Sequence, residues 1–167
     1  ALSSLSFDLS VYDIFGVLAA GGTIVIPNAD ATKDPALGIT MVPNADATKD
    51  PAHWAQLMAQ QQVSVWNSVP ALMKMLVDYG AGRPERLPNS LQLVMLSGDW
   101  LPLSLPEQIR SLWEDVRLIS LGGATEASIW SILYPIEQVD PTWKSIPYGR
   151  PMANQRFYVF NHALASK

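Results

Sequence analysis

Between residues 63 and 123 the hydrophobic pattern changes period four times. "VSVWNSVP" is short and rich in β-branched and aromatic residues. "PALMKMLVDYG" spaces its apolar residues as a helix does. "LQLVMLSG", "LSLPEQIRSLWE" and "VRLISLGG" then read as strand, helix and strand. Each expected strand is separated from the next by a helix-length segment, which is the connection that parallel neighbours need. This alternation restricts the chain to an α/β architecture, a layered and mainly parallel sheet flanked by helices.

The flanks extend the pattern. "LSVYDIFGVLAAGG" has helical spacing at Val11, Ile14, Phe15 and Leu18, with Ser10 as the expected N-cap and Gly21 or Gly22 as the stop. Thr23 to Pro27 reads as a short buried strand. Asp50 followed by Pro51 marks a helix start, "ERLPNS" a polar connection, and "RFYVFN" a closing strand. One feature interrupts this order. "PNADATKDPA" occurs at Pro27 to Ala36 and again at Pro43 to Ala52, and "GTIVIP" faces "GITMVP" upstream, so 22–53 holds a tandem duplication. Two copies are too few for a solenoid. The extra copy is expected to loop out or to add an edge strand or hairpin.

Composition removes several function classes. The 167 residues are 49% hydrophobic and 16% charged, which fits one globular domain and excludes a disordered chain. A net charge of −4 without a basic stripe argues against nucleic acid as a partner. With no cysteine there is neither a disulfide framework nor a thiolate metal site, and His53 and His162 match no ligand spacing. No apolar stretch approaches the roughly 20 residues of a membrane span, and with no basic region ahead of its first apolar run the N-terminus is not expected to act as a signal peptide. A cytoplasmic location without membrane contact is expected.

In parallel sheets, ligands bind beyond the carboxyl ends of the strands. That rule selects "NSVP", "SGDW" and "GGATE". In "GGATE" the glycines admit close backbone approach. Thr125 offers a hydroxyl and Glu126 a carboxylate at an expected helix start. The same residues also read as a glycine turn with Thr125 as N-cap and Glu126 favouring the helix dipole. Asp8, in the apolar "SFDLSVYD", needs a cation or donors, from a substrate ammonium or from the protein itself. No Walker-type loop, dinucleotide fingerprint or Ser/His/Asp set is present.

Five stretches in order, "SSLSFDLSVYDIFGVLAAGGTIVIP", "SVWNSVPALM", "LVMLSGDWLP", "LISLGGATEASIWS" and "SIPYGRPMANQRFYV", resemble the middle of a nonribosomal peptide synthetase adenylation domain. The resemblance covers nearly all of the chain except the duplicated unit and the last residues. It implies part of the large N-terminal subdomain of an adenylate-forming ligase. The implied reaction activates an amino acid with ATP and magnesium to aminoacyl-AMP, then loads it onto the pantetheine thiol of a carrier domain. Carrier and condensation or heterocyclization domains are the implied partners. Thr125 would contact phosphate and Glu126 would help hold magnesium. Gly122, Gly123 and Ala124 would line the adenine and the substrate carboxyl end, and Gly98 and Asp99 would flank adenine. Asp8 would pair with the substrate α-ammonium. "GGATE" stands where most members have Tyr-Gly-Pro-Thr-Glu, so the Thr-Glu pair is kept and the adenine-side aromatic and proline are not.

The implied specificity residues are Asp8, Leu9, Tyr12, Asn67, Met95, Ser97, Leu121, Ile129 and Trp130. Apart from Asp8 they are mostly apolar with two small polar groups, which disfavours a charged substrate side chain. The set is similar to that of cysteine-activating members that sit beside heterocyclization domains and supply thiazoline rings. An acyl- or aryl-CoA ligase of the same superfamily is the alternative, although its substrates would give Asp8 no ammonium. A non-catalytic truncated relic is another. The family's phosphate loop, ribose-binding aspartate and catalytic lysine have no counterpart in these 167 residues, so the isolated chain is expected to be inactive or nearly so.

Overall fold

The computed structural model describes residues 6–26 and 50–162. The duplicated stretch over 27–49, and the question of how its extra copy is accommodated, lie outside the described residues. A single helical passage opens the described chain. It consists of α1 (Leu9–Val11), a π-helical segment (Tyr12–Gly16) and α2 (Val17–Ala19). It is followed by α3 (Pro51–Gln61), β1 (Val65–Ser68), α4 (Pro70–Ala81), β2 (Leu93–Ser97), α5 (Leu105–Arg110), β3 (Arg117–Gly122), β4 (Ile132–Pro135) and β5 (Arg150–Pro151).

The strands form one sheet in the order β1-β2-β3-β4-β5. β1, β2 and β3 run parallel, as the helices between them require, whereas β4 and β5 add in antiparallel fashion. The parallel half is the part whose hydrophobic pattern is legible in the sequence. β4 and β5 are short and carry no such alternation.

The parallel register sorts side chains by face. Trp66 pairs with Val94 and Val94 with Leu118. These residues join Trp54, Met73, Leu76, Val77, Leu105 and Ile109 from α3, α4 and α5 in one core cluster. The Trp54 and Trp66 rings stand 5.8 Å apart, and the buried indoles are satisfied by Ser68 Oγ (2.8 Å from Trp66 Nε1) and the Pro88 carbonyl (2.7 Å from Trp113 Nε1). The Arg110 guanidinium ties α5 to the chain after β4 by donating to the Ile136 carbonyl.

Several local expectations hold. The Asp50 carboxylate accepts from Ala52 N and His53 N at 3.0 and 3.2 Å with Pro51 in the first turn, as that sequence predicts. Others are corrected. The first helix starts before Ser10, because Ser10 N and Val11 N already bond to the Phe7 and Asp8 carbonyls and Ser10 itself is buried. Residues 23–26, the described part of the strand expected at 23–27, are not assigned to a strand, and among the described residues the first strand of the sheet is β1. α5 stops at Arg110, where the bonds of Leu112 and Trp113 to the Ile109 carbonyl tighten the chain and turn Trp113 into the core. "RFYVFN" contributes only a bridge at Phe160, and Phe157 to Phe160 are all exposed, without the alternation of a half-buried strand. Between β4 and β5, two hydrogen bonds from Thr142 hold the exposed Asp140 carboxyl below the usual carboxylate range.

Met73 is fully buried among the helices and strands. Met73→Ala is expected to cost about 2–5 kcal/mol of stability. Asp50→Ala, which removes only a cap, should cost about 1 kcal/mol. Urea denaturation midpoints of the two variants check the ranking.

Candidate functional site

The face of the sheet opposite the core carries the other half of the period-two pattern. Asn67 pairs with Met95, Ser97 with Leu121, and Leu121 with Leu133. Asn67, Met95, Ser97 and Leu121 were each selected from the sequence on other grounds. Parallel pairing in this register puts all four on one face.

The opening helical passage packs against this face. The Tyr12 hydroxyl reaches Met95 Sδ at 3.7 Å, and the Tyr12 and Trp130 rings lie 4.7 Å apart at 56°. Asn67 Nδ2 donates to Asp13 Oδ1 at 2.8 Å. Consecutive residues Tyr12 and Asp13 thus both engage the sheet, and they begin the widened π-helical turn. Gly16 makes room for this: a Cβ there would meet the Tyr12 ring at 2.7 Å. Leu9, 3% exposed, is buried one turn earlier.

The three parallel strands end at one edge of the sheet, with Ser68, Ser97 and Gly122 as their last residues. Gly98, at φ +80°, turns the chain after β2, and Asp99 Oδ1 accepts from the backbone N–H of Trp100 at 2.7 Å. After β3 the chain does not enter an α-helix. Thr125–Ala127 is a single 3-10 turn whose N-cap is Ala124, and no side chain caps it, so Thr125 is not the cap. The Thr125 hydroxyl is used elsewhere. It donates to Asp8 Oδ2 at 2.6 Å, across 117 residues of sequence. Glu126 is exposed on the same turn.

The loop then folds back on itself. Ser128 and Ile129 both hold positive φ, 65° and 72°, which is unusual for a β-branched residue and of a kind that gathers at functional sites. Ser131 N returns to the Gly122 carbonyl at 2.8 Å. Gly123 lies inside this fold: a Cβ there would sit 2.6 Å from the Ile129 carbonyl and 2.8 Å from Ser131 N. Gly122, Gly123 and Ala124 therefore share one compact loop with Ile129 and Trp130.

Every residue selected from the sequence lies on the second face, on the helix over it, or on the strand-end loops. The contacts join Asp8 to Thr125, Tyr12 to Met95 and Trp130, and Asn67 to the helix. Gly98, Asp99 and Glu126 stand on the strand-end loops without being drawn into those contacts. Asp13 is the residue that sequence reasoning missed. It is 5% exposed, and its only signal was an acid next to Tyr12 inside "VYDIF". Asp8 and Asp13 are each held by a hydrogen bond, from Thr125 and Asn67 respectively, while Asp99 and Glu126 stand on separate strand-end loops. Among the described residues no cluster of three or more His, Cys, Asp or Glu could hold a metal by itself.

The model of the AMP-binding enzyme family matches residues 1–165. The chain is 45% identical to the anguibactin system regulator of Vibrio anguillarum, covering 95% of this chain and 14% of that protein. It is 46% identical to pyochelin synthetase PchF of Pseudomonas aeruginosa, covering 96% of this chain and 8% of the synthetase. The chain thus spans a small part of the length of these relatives. Among solved structures, the nonribosomal peptide synthetase FmoA3 in its AMPPNP-bound form superposes with a TM-score of 0.86 at 42% identity, covering 100% of this chain and 16% of that one. Its α-methyl-L-serine-AMP-bound form gives 0.84, covering 99% and 17%.

Gly123→Ala is expected to force the 122–131 loop open, because the added methyl meets backbone and not a movable side-chain tip. Thermal unfolding should fall by several degrees and the near-ultraviolet circular dichroism from Trp130 and Tyr12 should change. Gly82→Ala, with nothing within 4 Å of its Cβ, should leave both unchanged.

Proposed function

The chain belongs to the AMP-binding enzyme family, with its relatives among nonribosomal peptide synthetases, and from that premise we propose that it forms the amino-acid-activating face of an adenylation domain. Its substrates are ATP and a short neutral amino acid, with L-cysteine the favoured one. The observation that carries this reading is the Thr125–Asp8 hydrogen bond. It brings a hydroxyl at the strand-end loop against a carboxylate at the edge of the second face. Residues suited to a phosphate and to an ammonium therefore stand side by side, as two substrates that react with each other require.

On this reading Asp8 pairs with the α-ammonium and so directs the amino-acid carboxylate toward the strand-end loop. A carboxylate oxygen attacks the α-phosphorus of ATP. The new C–O–P linkage forms as the bond to the bridging oxygen breaks, and pyrophosphate leaves. Thr125 exchanges its bond to Asp8 for one to phosphate when substrates enter, and holding reactants in register supplies much of the rate. Glu126 is the residue of this chain suited to magnesium. It offers one exposed carboxylate, and such an ion takes its remaining ligands from phosphates and water. When bound, the ion neutralises phosphate charge. Gly98, Asp99, Gly122, Gly123 and Ala124 border the adenine.

Tyr12, Met95, Ser97, Leu121, Ile129 and Trp130 form the side-chain pocket, with Leu9 behind them and Asn67 beside Met95. Its apolar lining leaves a charged side chain unpaired, which disfavours lysine, arginine, aspartate and glutamate. The FmoA3 structure with α-methyl-L-serine-AMP supports a small polar substrate class at a similar site. The acyl group then passes to a carrier-domain pantetheine thiol. Carrier and condensation or heterocyclization domains, and activity dependent on chain beyond these 167 residues, belong to the same proposal. Among the described residues no helix is long and apolar enough to cross a membrane.

In the full-length protein carrying this chain, pyrophosphate exchange should depend on cysteine and be weak with charged or large aromatic amino acids. Asp8→Ala should raise the amino-acid KM at least about tenfold, the scale of a lost charge-assisted bond, with the ATP KM little changed. A preference for a charged or large aromatic substrate would overturn the pocket assignment.

A further inference from the structure

Among the described residues, three buried polar atoms near this face have no hydrogen-bond partner: Asp13 Oδ2, Asn67 Oδ1 and Ser97 Oγ. Buried polar groups are nearly always satisfied, and each one left unpaired costs about 1–3 kcal/mol. Asn67 and Met95 are register partners and Ser97 lies two residues beyond Met95, so the Asn67 and Ser97 side chains belong to one face of neighbouring strands. Asp13 meets Asn67 from the helix above and is 5% exposed.

The Asp13–Asn67 bond decides how the amide is turned. An amide can be rotated to present either its oxygen or its NH2 group, and the partners choose. An ionised carboxylate only accepts, so Asn67 must direct Nδ2 to Asp13 Oδ1, which it does at 2.8 Å. The amide oxygen is then held away from Asp13, as an acceptor. Ser97 adds a hydroxyl that both accepts and donates. With Asp13 in place, the floor of the second face is a fixed acceptor beside an adaptable hydroxyl, bordered by Met95, Leu121 and Tyr12.

We propose that Asp13 is a positioning residue for substrate selection: by locking the Asn67 amide it makes the pocket require a short side chain that ends in a hydrogen-bond donor, S–H or O–H. This rests on the amino-acid pocket assigned above. It assigns to Asp13, which lines no part of that pocket by itself, the preference for a donor over a methyl group of similar size. A site built to bond a donor discriminates against an analogue lacking it far more strongly than an apolar pocket discriminates by size.

The test compares L-cysteine with L-2-aminobutyrate, which replaces the S–H with a methyl, in pyrophosphate exchange by the full-length protein. The wild type should favour cysteine in kcat/KM by about 100-fold or more. In Asp13→Asn, an amide faces an amide and either orientation of Asn67 is allowed, so the ratio should fall at least about tenfold with the ATP KM unchanged. In an Asn67→Ala background, adding Asp13→Asn should not change the ratio further, because Asp13 acts through Asn67. Asp13→Ser, smaller and unable to reach Asn67, should repeat the loss of preference, and thermal unfolding of each variant identifies any that do not fold. A purely structural Asp13 lowers turnover of both amino acids alike and leaves the ratio intact, and that result overturns the proposal while leaving the activity assignment standing. A wild type with no preference for cysteine over 2-aminobutyrate overturns it directly. A protein that adenylates no short amino acid refutes the activity assignment itself, and this inference with it.

Discussion

Parallel pairing of β1, β2 and β3 in a single register is the constraint on which the rest of the molecule depends. Side chains alternate across a strand, and parallel partners at the same level point to the same side. Trp66, Val94 and Leu118 therefore join the helices in the core, while Asn67, Met95, Ser97 and Leu121 face the other way. A slip of one residue in β2 would bury Met95 and Ser97 in the core and expel Val94 and Leu96. The same register brings the carboxyl ends of the three strands to one edge, so the loops after Ser68, Ser97 and Gly122 are neighbours. Stability and site are two faces of one sheet.

The second face is organised by contacts that are remote in sequence and few in number. The opening helical passage reaches it through Tyr12, Asp13 and Asp8, and each contact is polar or aromatic. The strand-end loop reaches the same place through Thr125 and Trp130. Such contacts contribute little to net stability, about 1 kcal/mol each. Their effect is geometric: they fix Asp8 against Thr125, and Tyr12 against Met95 and Trp130. The π-helical turn, the close approach at Gly16 and the positive φ of Ser128 and Ile129 all occur here and not around the core.

Much of this was legible in the sequence because it rests on local rules. The Asp50–Pro51 start, the strand–helix alternation through 63–122 and the glycine turn after β3 follow from capping, periodicity and backbone freedom. The family was legible for a different reason: ordered motifs resemble it, and the family comparison agrees with that resemblance. What stayed hidden depends on partners distant in the chain. The described part of the strand expected at 23–27 is not assigned to a strand, Thr125 turns to Asp8 instead of capping a helix, and "RFYVFN" stays exposed. Asp13 was invisible because an acid inside an apolar helix reads as a surface residue until Asn67 is placed against it.

The account stands or falls on whether the two substrates meet where Asp8 and Thr125 meet. The most direct measurement is a crystal structure of the full-length protein with a hydrolysis-resistant cysteinyl-adenylate analogue. The account predicts the ammonium on Asp8, the phosphate mimic on Thr125 with their mutual bond broken, and the thiol between Ser97 and Asn67. An adenylate bound with its ammonium away from Asp8, or its side chain outside the Met95–Leu121–Trp130 face, would contradict it.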